Sequence, residues 1–250
     1  MTTQVTNAET ADPAYKSLYK LGGVAAFIVA VLTLGEVIGF AFYPQPGTVG
    51  EWFMLFQSNW IIGLLDFWGL EVLMYTMFIP VFLALYAVLR KANQSWMAIA
   101  LTFALLGIGI FFATNNPFTM LSISNQYAAA VTGAERSTLL AAGQAVLANT
   151  SQRAIGGFNM GLFLVSVAGL IVSLIMLPSN SFSRSTAYTG ILAFGLSLAD
   201  YLRQALTSSV IIALLVILPN VLFLVIWFVL VGRRLYQSGR LEAKRLPKQS

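Results

Sequence analysis

An all-α, polytopic transmembrane bundle of six helices, with an amphipathic helix in the extracytoplasmic loop between helices 3 and 4, is the fold class this sequence predicts. Three observations predict it. First, of 250 residues 58% are hydrophobic and 9% charged, at a mean hydropathy of +0.80, whereas a soluble domain carries roughly a quarter charged residues. Second, apolar runs long enough for about 30 Å of hydrocarbon recur six times, each bounded by charge, proline or a polar cluster. Third, the 14 lysines and arginines sit at the ends of those runs, mostly on one side.

The first span covers about 21–43, after Lys16 and Lys20 and before Pro44-Gln45-Pro46-Gly47. The second covers about 60–89 and ends at Arg90-Lys91; its excess length predicts a tilt or a start in the outer interface. The third, 96–114, stops where Asn115-Asn116-Pro117 breaks or kinks a helix. The fourth covers 155–177, up to Pro178, and the fifth 188–206, the least apolar because it contains Asp200 and Arg203. The sixth covers 210–231, with Pro219 inside it and Arg233-Arg234 at its end. Residues 1–15 and 237–250 read as polar and basic cytoplasmic tails, the second disordered and touching anionic headgroups. The N-terminus lacks a signal-peptide pattern, so the first helix is expected to be retained.

With both termini cytoplasmic, one side holds eleven basic residues: Lys16, Lys20, Arg90, Lys91, Arg184, Arg233, Arg234, Arg240, Lys244, Arg245 and Lys248. The other holds three, Arg136, Arg153 and Arg203. The positive-inside rule then predicts a multi-pass protein of the plasma (inner) membrane. Basic residues so placed orient a chain in lipid, and no nucleic-acid partner is expected. Membrane lipids are the expected partners, joined on the outer side by another membrane protein or a small polar ligand.

The segment from Asn115 to Arg153 is the one sizeable loop. Thr132-Gly133-Ala134-Glu135 reads as a capping box, and Leu139, Leu140, Gly143, Val146 and Leu147 then recur at helical spacing opposite Arg136 and Gln144. Thr132, Glu135, Arg136, Leu140 and Leu147 thus mark a helix over 133–148, after a helical stretch over 118–131. It is either a lid or a fixed packing cap on the outer ends of the bundle.

Three stretches carry a resemblance. They are a tyrosine-alanine run continuing into Gly-Ala-Glu-Arg-Ser-Thr-Leu-Leu-Ala-Ala-Gly-Gln-Ala-Val-Leu-Ala, then Leu-Asp-Phe with Ile-Pro-Val-Phe-Leu-Ala-Leu-Tyr, and Ile-Trp-Phe-Val-Leu-Val-Gly-Arg-Arg-Leu. The chain from about Lys20 to Tyr236 is similar to a prokaryotic six-helix membrane family catalogued only as a domain of unknown function. The resemblance implies the fold and brings no activity or site with it.

Charges inside spans cost roughly 2.5–3.5 kcal/mol each near mid-bilayer, so they need partners or a function. Glu36, Asp66, Glu71, Asp200 and Arg203 qualify. Glu36 lies seven residues before Tyr43, roughly 10 Å below the outer boundary at about 1.5 Å per residue, and the other four also fall in the outer half. Asn115 and Asn159 share that bias, while Thr76, Ser173 and Ser197 belong to the inner half and Asn220 to mid-depth. A polar cavity opening outward and closed toward the cytoplasm is the expectation. Asp200 and Arg203, three apart, are set to pair. Small-residue spacings (Gly35 with Gly39 around Glu36, Gly109 with Ala113, Gly157 with Gly161) predict close helix packing, with Gly107 pointing elsewhere.

No His or Cys is present, which removes the usual general base, thiolate chemistry and the common metal-ligand sets. No cofactor is expected, no lysine within a span is placed for a Schiff base, and no catalytic motif is present. A non-catalytic binding, sensing or accessory protein fits best. Small-cation or proton-linked solute transport is the alternative, and catalysis by paired carboxylates comes third.

Overall fold

A computed structural model describes residues 13–42, 45–150, 159–207 and 209–245. They are mostly helical, without a strand among the described residues. After a short turn at Pro13–Tyr15 come α1 (Lys16–Phe42), α2 (Val49–Ser58), α3 (Trp60–Leu64), a break at Leu65–Gly69, and α4 (Leu70–Leu89). Then follow α5 (Gln94–Thr114), α6 (Pro117–Ala129), α7 (Gly133–Asn149), α8 (Met160–Met176), α9 (Arg184–Leu206) and α10 (Val210–Arg245). Tyr43, Arg153, Gly157 and residues 155–158 of the predicted fourth span lie outside the described residues.

The six long helices close a ring in the order α1, α4, α5, α8, α9, α10, with α10 packed back on α1. Each runs antiparallel to its neighbours: the start of α1 meets the end of α4 at Gly22 and Ala84, and Ser197 of α9 meets Asn220 of α10. The outside of the ring is apolar and unshielded, with Val31, Leu106, Ile211 and Leu215 all more than half exposed. An apolar belt of this extent belongs in lipid rather than water. Lys16–Gly39, Trp60–Leu89, Gln94–Ala129 and Val210–Arg240 are each long and apolar enough to cross a bilayer; Met160–Met176 is apolar but shorter. This is the build of a membrane protein.

Basic residues gather at one end. The Arg90 guanidinium lies 4.8 Å over the Tyr15 ring, Gly239 sits against Lys16 and Lys20, and Arg234 Nε donates to the Ser181 carbonyl at 2.6 Å. At the opposite end α2, α6 and α7 pack on one another. Ser124 donates to the Phe53 carbonyl at 3.2 Å, Gln57 donates to Ser124 at 3.0 Å, and Phe53 meets Tyr127 at 5.0 Å between ring centres. The sequence reading assigned no helix to 49–58, yet Thr48 and Glu51 form the same capping box as Thr132 and Glu135. The helix over 133–149 is present with its cap, and burial along it is confined to Gly143 and Leu147.

Three expectations need correction. The second span is not one unbroken helix: Phe67 (φ −92°, ψ 67°) and Trp68 (φ 70°, ψ 5°) leave helical geometry. A bulky residue held left-handed costs of order 1–3 kcal/mol. Gly69 permits the tightened backbone, since a Cβ there would lie 2.4 Å from the Leu64 carbonyl oxygen. Gln45 Nε2, donating at 3.1 Å, satisfies the Asp66 carbonyl. The basic C-terminal segment is not a disordered tail from 237 onward, because α10 continues to Arg245 with Ser238 and Gly239 buried. Finally, Gly35, Gly39 and Gly109 face open space, whereas Gly107 makes the closest α5–α8 approach. A Cβ on Gly107 would come within 2.6 Å of the Gly161 carbonyl oxygen.

Gly107→Ala therefore forces two backbones apart and is expected to lower stability by about 1–3 kcal/mol, while Gly109→Ala leaves it unchanged or raises it. Unfolding of both variants in detergent, followed by circular dichroism, checks the contrast; equal behaviour contradicts the observed helix register.

Candidate functional site: a carboxyl-lined cavity inside the ring

A cavity of about 380 Å³ lies within the ring, and all six long helices contribute to its wall. Glu36 comes from α1; Trp68 comes from the break, with Glu71 and Tyr75 following on α4; and Phe111 comes from α5. Asn159, just ahead of α8, caps that helix by accepting from Leu162 N–H at 2.9 Å. From α9 come Ser197, Asp200, Tyr201 and Gln204, at positions i, i+3, i+4 and i+7 of one helix face, and from α10 comes Asn220.

The polar groups differ in how fully they are satisfied. Asp200 accepts from Arg203 Nε at 2.5 Å and from Gln204 Nε2 at 2.7 Å, and Arg203 also donates to the Thr207 carbonyl. The Tyr201 hydroxyl donates to the Asn159 carbonyl at 3.1 Å. Asn220 Nδ2 donates to the Ala193 carbonyl and to Ser197 Oγ, at 2.5 and 2.8 Å. Glu36 and Glu71 reach the same cavity from the neighbouring helices α1 and α4. Glu71 is 4% exposed, and among the described residues its Oε1 has no hydrogen-bond partner; neither has the hydroxyl of Tyr75, 2% exposed. The Tyr75 ring stacks on Phe111 at 3.7 Å, and Trp68 meets the same ring edge-on at 5.9 Å.

Of the residues the sequence singled out, Glu36, Glu71, Asn159 and Asp200 line this cavity, while Asp66, Arg203 and Asn115 do not. Asp66 lies in the break, one and a half turns before Glu71. Arg203 is turned onto Asp200. Asn115, 1% exposed, donates to the Phe111 carbonyl and to Thr114, and lines a separate cavity of about 310 Å³ beside Thr76 and Phe118. Ser197 and Asn220, assigned to the inner half and mid-depth from sequence, line the main cavity beside Asp200. The signal for Ser197, Tyr201 and Gln204 was their helical spacing with Asp200.

The loop-helix residues lie elsewhere. Thr132 and Glu135 cap α7 reciprocally, at 3.2 and 3.1 Å. The backbone amide and hydroxyl of Thr132 and the amide of Val131 hold the Glu135 carboxyl below the usual carboxylate range. Arg136 Nε donates to the Ala130 carbonyl at 3.2 Å, and Leu140 and Leu147 pack on the core. The cavity wall includes no α7 residue; α7 rests on α2 and α6. Trp52 and Phe56 of α2 pack in turn against Phe67 of the break.

Among the described residues no group of three or more acidic, His or Cys side chains could hold a metal ion. The Arg203 guanidinium is engaged by Asp200, and Glu36 with Glu71 faces the cavity without a cation among the described residues of its wall. The arrangement is built to bind a hydrogen-bond donor or a positive charge.

Asp200→Asn is expected to destabilise the chain by about 3 kcal/mol, because it leaves the guanidinium, whose side chain is 12% exposed, without its counter-charge. Asp200→Asn combined with Arg203→Gln is expected to recover most of that loss. Thermal unfolding of the two variants measures both, and absence of recovery would mean that the pair is not the source of the effect.

No curated protein and no solved structure matches this sequence. Residues 56–232 match the family described as Domain of unknown function (DUF4386), a match that starts within α2 and so includes Glu71, Asp200 and Asn220 but not Glu36. Because the match takes in most of the sequence, and because the helices are apolar and long as the resemblance implied, the chain belongs to the family described as Domain of unknown function (DUF4386).

Proposed function

We propose that this chain is a six-span inner-membrane protein, with both termini in the cytoplasm, that binds a small polar solute from the extracytoplasmic side in a non-catalytic sensing or accessory role. The observation that carries this reading is Glu71: a carboxyl almost fully buried in a ring of apolar helices, in the wall of a cavity of ligand size, with one oxygen unpartnered among the described residues. A group so placed in hydrocarbon needs water or a ligand beside it.

Sidedness supports the same reading. The basic residues mark the end expected to face the cytoplasm, and the cavity lies far from it: Glu36 follows Lys20 by sixteen residues, about 24 Å along α1. Between them, helices meet at close quarters. Gly22 lies against Pro80 and Ala84, Phe78 stacks on Phe228 at 5.7 Å, and Trp227 meets Phe194 at 4.9 Å. In α8, 17 residues give about 26 Å, and in α9 the two charges neutralise each other, so both serve as spans beside the four longer stretches. On this topology α7 belongs to the outer side, as part of a fixed cap. A second reading, cation or proton-linked transport, is favoured by one feature, the helix break at Leu65–Gly69 beside the carboxyls, since discontinuous helices flank solute sites in many transporters.

The absence of native cysteine makes the test direct. Gln204→Cys is expected to react with a membrane-impermeant maleimide in intact cells, and Lys91→Cys only after permeabilisation; the reverse pattern would invert the topology. A panel of small amines, alcohols, sugars and carboxylates is then expected to include solutes that slow modification of Gln204→Cys. Failure of every solute to protect it would remove the binding role, and uptake into proteoliposomes above empty vesicles would favour transport.

A further inference from the structure

Resting on that cavity-binding reading, we infer that the ligand is a small monovalent organic cation, a primary or quaternary ammonium, held between the Glu36–Glu71 carboxyl pair and an aromatic wall.

Charge sets the valence. Glu36 and Glu71 line one cavity inside an apolar ring, and two carboxyls that share such a site do not both ionise, so the pair presents one negative charge. Among the cavity-lining residues, Asp200 is the other acid, and it is already neutralised by Arg203 at 2.5 Å. Glu71, whose Oε1 has no partner among the described residues, is therefore the carboxyl of the cavity wall left to meet a positive ligand. The unpartnered Tyr75 hydroxyl, one turn further along α4, adds a second polar contact.

The rest of the wall sets the chemical type. Trp68, Tyr75 and Phe111 form one aromatic group, stacked at 3.7 Å and edge-on at 5.9 Å. Ring faces attract ammonium groups and accept their carbon substituents, and Trp is the strongest of them. Trp68 is held in this wall by a left-handed backbone, φ 70°, the one positive-φ residue other than glycine among the described residues. Strained backbone of this kind clusters at ligand sites. A bare metal ion is less well served: it requires six or more oxygen ligands, or three protein donors with fixed geometry, and no such group exists among the described residues. At about 380 Å³ the cavity matches a small molecule.

Calorimetric titration of the full chain in lipid nanodiscs tests this with choline and with the neutral alcohol in which carbon replaces its quaternary nitrogen. Choline is expected to bind at least tenfold more tightly than the alcohol, and sodium at equal concentration is expected not to displace it. Glu71→Gln and Trp68→Leu are each expected to weaken choline binding at least tenfold. Because the first comparison uses the unaltered chain, it stands even where a variant misfolds. Equal binding of choline and the alcohol, or displacement of choline by sodium, overturns the organic-cation assignment while leaving a solute-binding cavity in place. Should choline fail to bind while a neutral or acidic solute still protects Gln204→Cys, only the ligand class falls. If no solute binds or protects, both readings fall.

Discussion

Hydrocarbon offers no hydrogen bonds, so every polar group in the ring must find its partner within the protein or in a space the protein encloses. Glu71 is the group for which this demand is most severe. Its helix begins at a break, another carboxyl, Glu36, lines the same cavity, and no guanidinium or ammonium among the described wall residues answers it. Much of the surrounding architecture follows from that: a closed ring rather than a packed bundle axis, and a polar face on α9 turned inward. It also explains why Arg203 and Asp200 are fastened to each other by adjacent turns of one helix and add no net charge to the space.

The two ends of the molecule solve different problems. Toward the basic end, small residues let helices touch backbone to backbone, as at Gly22 with Pro80 and Gly23 with Gly232. Aromatic rings pack beside them, as Phe78 does on Phe228 and Trp227 on Phe194. At the other end the ring is loosened by the break at Leu65–Gly69, and the aromatics of α2 pack into the bend. Short helices capped by Thr48 with Glu51 and Thr132 with Glu135 complete that end. One closes by direct contact, the other by a separate layer.

The sequence makes the class legible because length and apolar composition are the same constraints that the bilayer imposes. The helix ends at Thr114 and Leu206, the break before Pro117, the α7 cap and the Asp200–Arg203 pair are all local, and local rules of spacing and capping suffice for them. Convergence is only partly legible. Rotation about a helix axis decides whether Asp66 or Glu71 faces inward, and a left-handed residue at Trp68 resets that rotation midway along a span. Which glycine of Gly107 and Gly109 meets a neighbour depends in the same way on packing between distant segments, which spacing within one helix does not encode. The polar stripe of Ser197, Asp200, Tyr201 and Gln204 was available from periodicity alone.

At 36 residues α10 is about 54 Å long, well beyond the roughly 30 Å of a hydrocarbon core. Its Asn220 is tied to α9 at the cavity, while the turn with Gly239 and Arg240 lies at the basic end. Sliding or tilting this rod would pull Asn220 away from Ala193 and Ser197, so a grip on its charged tip has leverage on the wall of the chamber.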